Sequence, residues 1–200
     1  MEINISNQEI RLVNISEKDI VVKIIMEAFK NDPHMNWLIE KSKNEDKLQI
    51  VSTYVVEETF NKGEIYLTKD NLGAALWYSK KKERLTFEYL KRNISFLFTM
   101  GITTVFRALK MANNSHSHFP KVGDFCYLYI IGVLPDGQGQ GLASKLMNPV
   151  LEKCRNEKVP AFLETANPKN VEIYKKKGFE LTDSLNINNN TTFYFMKFLE

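Results

Sequence analysis

Gly137, Gly139 and Gly141 stand on alternate positions in "IIGVLPDGQGQGLASKL", between an apolar run that reads as a buried strand and a run with helical spacing. Glycine there costs backbone entropy and contributes no packing, so the loop needs an unusual backbone shape or a close approach. A strand feeding a glycine-rich turn that opens a helix is a way to hold phosphate. The first-turn N–H groups have no partner inside the helix, the helix dipole favours negative charge, and glycines leave successive amides bare. A plain strand-to-helix connection is the alternative without a ligand, and three glycines in five residues argue against it.

Two familiar phosphate loops fit poorly. A Walker loop needs Gly-Lys-Ser/Thr at its end, whereas Ser144–Lys145 come in the wrong order. A dinucleotide fingerprint would use Gly139-Gln140-Gly141 and the acidic Glu164 further on, but Ser144 occupies the third glycine position. Too little chain follows for a second mononucleotide-binding half.

A third pattern fits better. Gln138-x-x-Gly141-x-Ala143 follows Val133–Leu134–Pro135 and precedes, by one helix and one strand, "NPKNVEIYKKKGF" from Asn167 to Phe179. Together these resemble the GNAT superfamily of N-acetyltransferases over residues 125–182, and "FLETANPKNVEIYKKKGFEL" is similar to its puromycin acetyltransferase-like branch. Pro149 inside the helix also resembles that branch, while the first 120 residues match mainly in the order of elements.

The resemblance implies an acetyl-coenzyme A site. Gln138, Gly139, Gln140, Gly141, Leu142, Ala143 and Ser144 would hold the diphosphate, chiefly through the amides from Gly139 onward. Ile131, Gly132 and Val133 would take the pantetheine arm between two splayed strands, with a main-chain N–H near Val133 as oxyanion donor. Tyr174, by its match to the family's tyrosine, would protonate the leaving thiolate. Asn167 and Asn170 would cap the helix before Tyr174 or bond the cofactor, and Pro168 suits a first helical turn.

The base is open. Glu164, at the end of its strand, could take the amine proton or serve as a structural hydrogen-bond partner; Glu27 and Asp124 are weaker candidates. Phe29, Trp37 and Tyr127 are candidate acceptor contacts, with Trp77 and Tyr78 behind them, although aromatics at such spacing also build cores. His34, His116 and His118 have no Cys or carboxylate at ligand spacing, so no metal is expected and "NNSHSHFP" reads as an exposed loop.

The elements that must position these residues follow from hydrophobic period. Residues 9–15 alternate as a strand, and Ser16 with Asp19 resembles a capping arrangement opening a helix that "NDPHMN" breaks. A helix covers 45–61, and "EIYLTKD" and "LGAALWYS" form a hairpin about Lys69–Asp70–Asn71. One or two helices fill 83–114. Then come a strand (125–134), a helix (140–157), a strand (160–165), a short helix (168–177) and strands at 178–184 and 191–198, with "NINNN" as a polar turn. The expectation is one α/β (α+β) domain over 1–200, with a mixed, mostly antiparallel sheet flanked by helices.

The 200 residues are 44% hydrophobic and 26% charged, the composition of an ordinary globular domain. A net charge of +3 with scattered lysines suits a polyanionic small ligand better than nucleic acid. Cys126 and Cys154 read as buried free thiols. No apolar leader and no long apolar run is present in "MEINISNQEIRLVNIS" or beyond, so a cytoplasmic protein with no membrane partner is expected, and a homodimer is compatible. The expected reaction is acetyl transfer from acetyl-CoA to a primary amine of a small molecule or peptide, directly and in a ternary complex. A transferase for a longer acyl-CoA, or a non-catalytic CoA-binding sensor, would keep the same loop.

Overall fold

The computed structural model describes residues 9–39, 46–79, 87–118, 123–188 and 191–198. Seven strands form one sheet in the order β1-β2-β3-β4-β5-β7-β6. In chain order the main elements are β1 (Ile10–Leu12), α1 (Lys18–Phe29), α2 (Pro33–Ile39), α3 (Asp46–Lys62), β2 (Gly63–Thr68), β3 (Gly73–Ser79), α4 (Phe87–Met100) and α5 (Ile102–Ser117). They continue with β4 (Cys126–Val133), α6 (Leu142–Glu157), β5 (Ala161–Thr165), α7 (Pro168–Lys175), β6 (Phe179–Asn188) and β7 (Thr191–Phe198). Neighbouring strands run antiparallel except β4 and β5, which are parallel and joined across α6. The parallel pair needs that crossover because no tight turn can return the chain in the same direction.

Strand alternation divides the core in two. On one face Ala75, Trp77, Leu128, Leu163 and Met196 pack against Leu146, Leu151, Val171 and Tyr174 of α6 and α7. On the other, Ala74, Leu76, Ile65 and Leu67 pack against Ile24, Ile25, Val51, Val55 and Val56 of α1 and α3. Cys126 and Cys154 are free, buried thiols in the first cluster.

The expected mixed, mostly antiparallel sheet is present, with local differences. The first strand stops at Leu12, and the cap is built by Asn14 and Glu17 on a short 3-10 turn rather than by Ser16 and Asp19. "NDPHMN" ends α1 but also starts α2, because Pro33 supplies a first helical residue and the Asp32 carboxylate accepts from the Met35 N–H at 2.7 Å. β6 runs through to Asn188, so strand pairing absorbs much of the expected polar turn. "NNSHSHFP" is not an exposed loop up to His118: α5 reaches Ser117, and His118 stacks on Phe195 of β7 with ring centroids 3.7 Å apart.

Candidate active site

The site is built where β4 parts from β5. Cys126, Tyr127 and Leu128 pair with Ala161, Phe162 and Leu163, and there the pairing ends, although β4 runs on to Val133 and β5 to Thr165. On its other side β4 carries a bulge. Leu76 pairs with Ile130 and Trp77 with Leu128, so Tyr129 is the extra residue. A bulge bends its strand and adds twist, which carries β4 away from β5 at the point where the ladder stops. Beyond Leu128 the backbone groups of β4 that face β5 have no strand partner, so a groove of main-chain donors and acceptors runs along Tyr129 to Val133.

That groove leads to the glycine loop, where the three glycines separate by role. Gly137 is buried, and a methyl there would stand 2.8 Å from a Leu142 methyl and 3.0 Å from Leu72 Cβ, so it serves packing. Gly139 and Gly141 have φ of +77° and +73°, and no atom lies within 4 Å of where a side chain would begin. Gly141 is the N-cap of α6 and no side chain caps the helix, so its first-turn amides are left for a ligand. The amides of Gln138 and Gln140 side chains instead fold back, donating to the carbonyls of Val133 at 3.3 Å and Asp136 at 2.7 Å. Leu142 is buried in the core, with Ala143 and Ser144 half-buried behind it. This cradle fits a diphosphate: bare amides, open space and a helix N-terminus.

Gly132 is explained differently from the expectation. A side chain there would meet Ala28 Cβ at 2.9 Å and approach Phe29, so its missing side chain admits α1; the main chain of Ile131 to Val133 still borders the groove. Phe29 thereby stands over the splayed part of β4.

Two titratable side chains lie on opposite faces of the sheet. Tyr174 lies in the α6–α7 cluster, edge-on to Phe179 at 6.0 Å, and burial pushes its phenol up to about 12. It is held by α7, where the Asn167 side chain accepts from the Lys169 N–H at 3.0 Å and Pro168 takes the first turn. Asn167 is therefore a helix cap. Asn170 contributes its backbone N–H to Asn167 at 3.0 Å within the same turn. Glu164 points to the α1–α3 face, because its neighbours Leu163 and Ala161 belong to the α6–α7 cluster. There its charge reaches Tyr129.

On that same face lies a tyrosine cluster that the sequence reading only partly anticipates. Tyr78 stacks on Tyr129 at 4.4 Å, and Tyr127 lies 6.2 Å and 6.0 Å from the two rings. Burial and the nearby carboxylate of Glu58 push Tyr129 up to about 12, and burial pushes Tyr78 well up. Glu58, nearly fully buried on α3, is paired with Lys62 at 2.8 Å. Tyr129 and Glu58 carry no spacing signal; only the bulge and the docking of α3 reveal them. Trp77 belongs to the opposite face by strand alternation and is core rather than acceptor lining. Asp124 lies before the paired start of β4, away from the opening, and Glu27 is exposed beside Lys30 at 3.8 Å. Trp37 sits on α2, and its side chain, like those of His34 and His116, lies outside the described residues. Among the described residues no group of three or more His, Cys, Asp or Glu is placed to hold a metal.

A sheet split by a bulge, with an uncapped glycine loop at the head of the crossover helix, defines an acetyltransferase fold of the GNAT type. A family model described as an acetyltransferase (GNAT) domain matches residues 106–200. Residues 106–200 are thus similar to a GNAT acetyltransferase domain, and the fold of the chain is of that type. It is similar to an uncharacterized N-acetyltransferase of Schizosaccharomyces pombe, 26% identical over 182 residues that cover 80% of this chain and 70% of the relative. In fold it is similar to the histone acetyltransferase HPA2 and related acetyltransferase from Corynebacterium glutamicum, with TM-score 0.70, 20% identity, and 95% and 94% of the two chains covered. It is also similar to arylalkylamine N-acetyltransferase 2 from Aedes aegypti, with TM-score 0.65, 12% identity, and 94% and 96% covered.

Proposed function

We propose that the protein transfers the acetyl group of acetyl-CoA to a primary amine of a small molecule, directly and in a ternary complex. The observation that carries this reading is the continuity of the opened β4–β5 edge with the bare cradle at Gly139 and Gly141, with Tyr174 on one face of the sheet and Glu164 on the other. Bound acetyl-CoA supplies the activated thioester that the amine attacks.

The residues divide the remaining tasks. Amides from Gly139 to Ser144 hold the diphosphate, and the strand edge from Tyr129 to Val133 holds the pantetheine arm and offers N–H groups to the developing oxyanion. Glu164 accepts the amine proton on the α1–α3 face. Tyr174, a protonated phenol at neutral pH, donates its hydroxyl proton to the departing sulfur. Phe29 and Tyr127 line the acceptor side, and fixing both reactants across the groove supplies much of the rate. An amine-sized acceptor accords with the relative from Aedes aegypti, whose name specifies arylalkylamines.

Titration calorimetry with acetyl-CoA, followed by thiol-release assays over a panel of primary amines, tests the reading. Binding with CoA release that depends on one class of amine is expected. Absence of binding overturns the site, and binding without turnover on any amine leaves a CoA sensor instead.

A further inference from the structure

The α4–α5 hairpin carries its apolar residues on the outside. Among the described side chains, the inner face holds Phe96, which stacks on Tyr54 of α3 at 4.0 Å, and the buried Met100 and Thr104. The outer face bears Ile94, Leu97, Phe98, Ile102, Phe106 and Leu109, exposed by between 47% and 85%. These are six of the eleven large hydrophobics exposed among the described residues, gathered within one stretch of 16. Ile94, Leu97 and Phe98 share one stripe of α4, as Ile102, Phe106 and Leu109 share one of α5. Gly101 alone joins the helices, with φ +78° and nothing within 4 Å of a side-chain position, so the corner projects outward. Phe98, the most exposed at 85%, and Ile102 at 73% sit beside it. A patch of this kind marks an interaction surface rather than scatter.

Charge selects the occupant. Eight of the 27 basic residues but only two of the 24 acidic ones fall in residues 80–117, a net charge of +6 within a chain whose total is +3. The rest of the chain is therefore at −3. From Tyr89 to Gly123 there is no carboxylate side chain at all. Arg107 and Lys110 are the cations of this stretch whose side chains are described; a second copy laid on α5 would repeat their charge, whereas an anionic surface complements it. Exposed Phe, Ile and Leu with Lys and Arg alongside is the composition of helices that lie in a lipid–water interface. Lys110 stands one turn beyond Phe106 on the same stripe, and Arg107 adjoins it. Among the described residues no helix is long and apolar enough to cross a membrane, so the geometry is that of a helix pair lying on the surface.

We propose that the α4–α5 hairpin docks this protein on the surface of an anionic lipid bilayer. Phe98 and Ile102 sink to the acyl boundary, and Lys110 and Arg107 are drawn to lipid phosphates.

Co-sedimentation of the full chain with vesicles decides it, using phosphatidylcholine alone and phosphatidylcholine mixed with phosphatidylglycerol. Binding to the mixed vesicles should exceed that to the neutral ones by about tenfold or more, since each cation near the surface adds attraction. Raised salt should release part of it. Phe98→Ser with Ile102→Ser should abolish binding while circular dichroism and acetyl-CoA affinity stay unchanged, because both side chains are exposed and remote from the cradle. Arg107→Gln with Lys110→Gln should weaken binding to the anionic vesicles alone. Equal binding to both vesicles, no binding, or binding that survives the serine pair overturns the proposal. So does a dimer in sedimentation velocity that the serine pair dissociates, which would assign the face to a second copy.

Discussion

Gly139 and Gly137 are two residues apart and answer to different forces. Gly139 is open and left-handed, whereas Gly137 is walled in by Leu142, Leu72 and Val133. Gly137→Val should therefore act on stability, costing about 1–3 kcal/mol by overpacking. Gly139→Val should act on the ligand, weakening acetyl-CoA in calorimetry about tenfold or more by covering the amides and straining the turn. Equal effects of both variants on thermal unfolding, with no change in affinity, would remove the cradle. Tyr174 makes a second prediction at this scale. Its hydroxyl is protonated at working pH as any phenol is, and burial raises it further, to about 12. Tyr174→Phe should lower kcat by about a hundredfold with KM for acetyl-CoA little changed, as for a group that acts only as the bond breaks. A change confined to KM would make Tyr174 a wall of the cofactor site.

Elements hold these residues in place, and α7 is the shortest of the helices that do so around Tyr174. At eight residues it cannot be stable alone, so its Asn167 cap, Pro168 and the turn at Gly178 set where the phenol stands. Asn167→Ala should cost about 0.5–2 kcal/mol in denaturant unfolding and lower turnover in step as Tyr174 loses its fixed position. Loss of activity with stability intact would instead indicate a direct cofactor contact. This cap is legible in the sequence because an Asn-Pro pair before an apolar-spaced run is local. The bulge at Tyr129 is not. It arises from register between β3 and β4, and residues about 50 apart in the chain leave no local trace of how they pair.

At the scale of the molecule, the end of α5 is tied to the far edge of the sheet. His118 lies flat on Phe195 and its Nε2 is 2.8 Å from Asp183 on β6. The hydrogen bond with His118, then that from the Ser184 N–H, holds the Asp183 carboxyl below its usual value. A carboxylate depressed in the folded state stabilises above its unfolded pKa, and that contribution is lost as pH falls through the folded value. Wild type should thus melt above Asp183→Asn near neutrality, and the gap should close as pH drops below the ordinary carboxylate range near about 3.9. A gap that stays constant on acidification would show that the Asp183 charge contributes nothing.

The sequence alone determined the order of elements from Cys126 onward, the place of the glycine loop and the cap before Tyr174. Each rests on neighbours within a few residues, where hydrophobic period and backbone demands are readable. Only the tertiary structure decided which glycine is for packing and which is open, where β4 leaves β5, that Glu164 and Tyr174 lie on opposite faces of the sheet, and that α4–α5 turns its apolar stripe outward. Those depend on strand register and on which surface each helix covers, quantities set by contacts between distant parts of the chain.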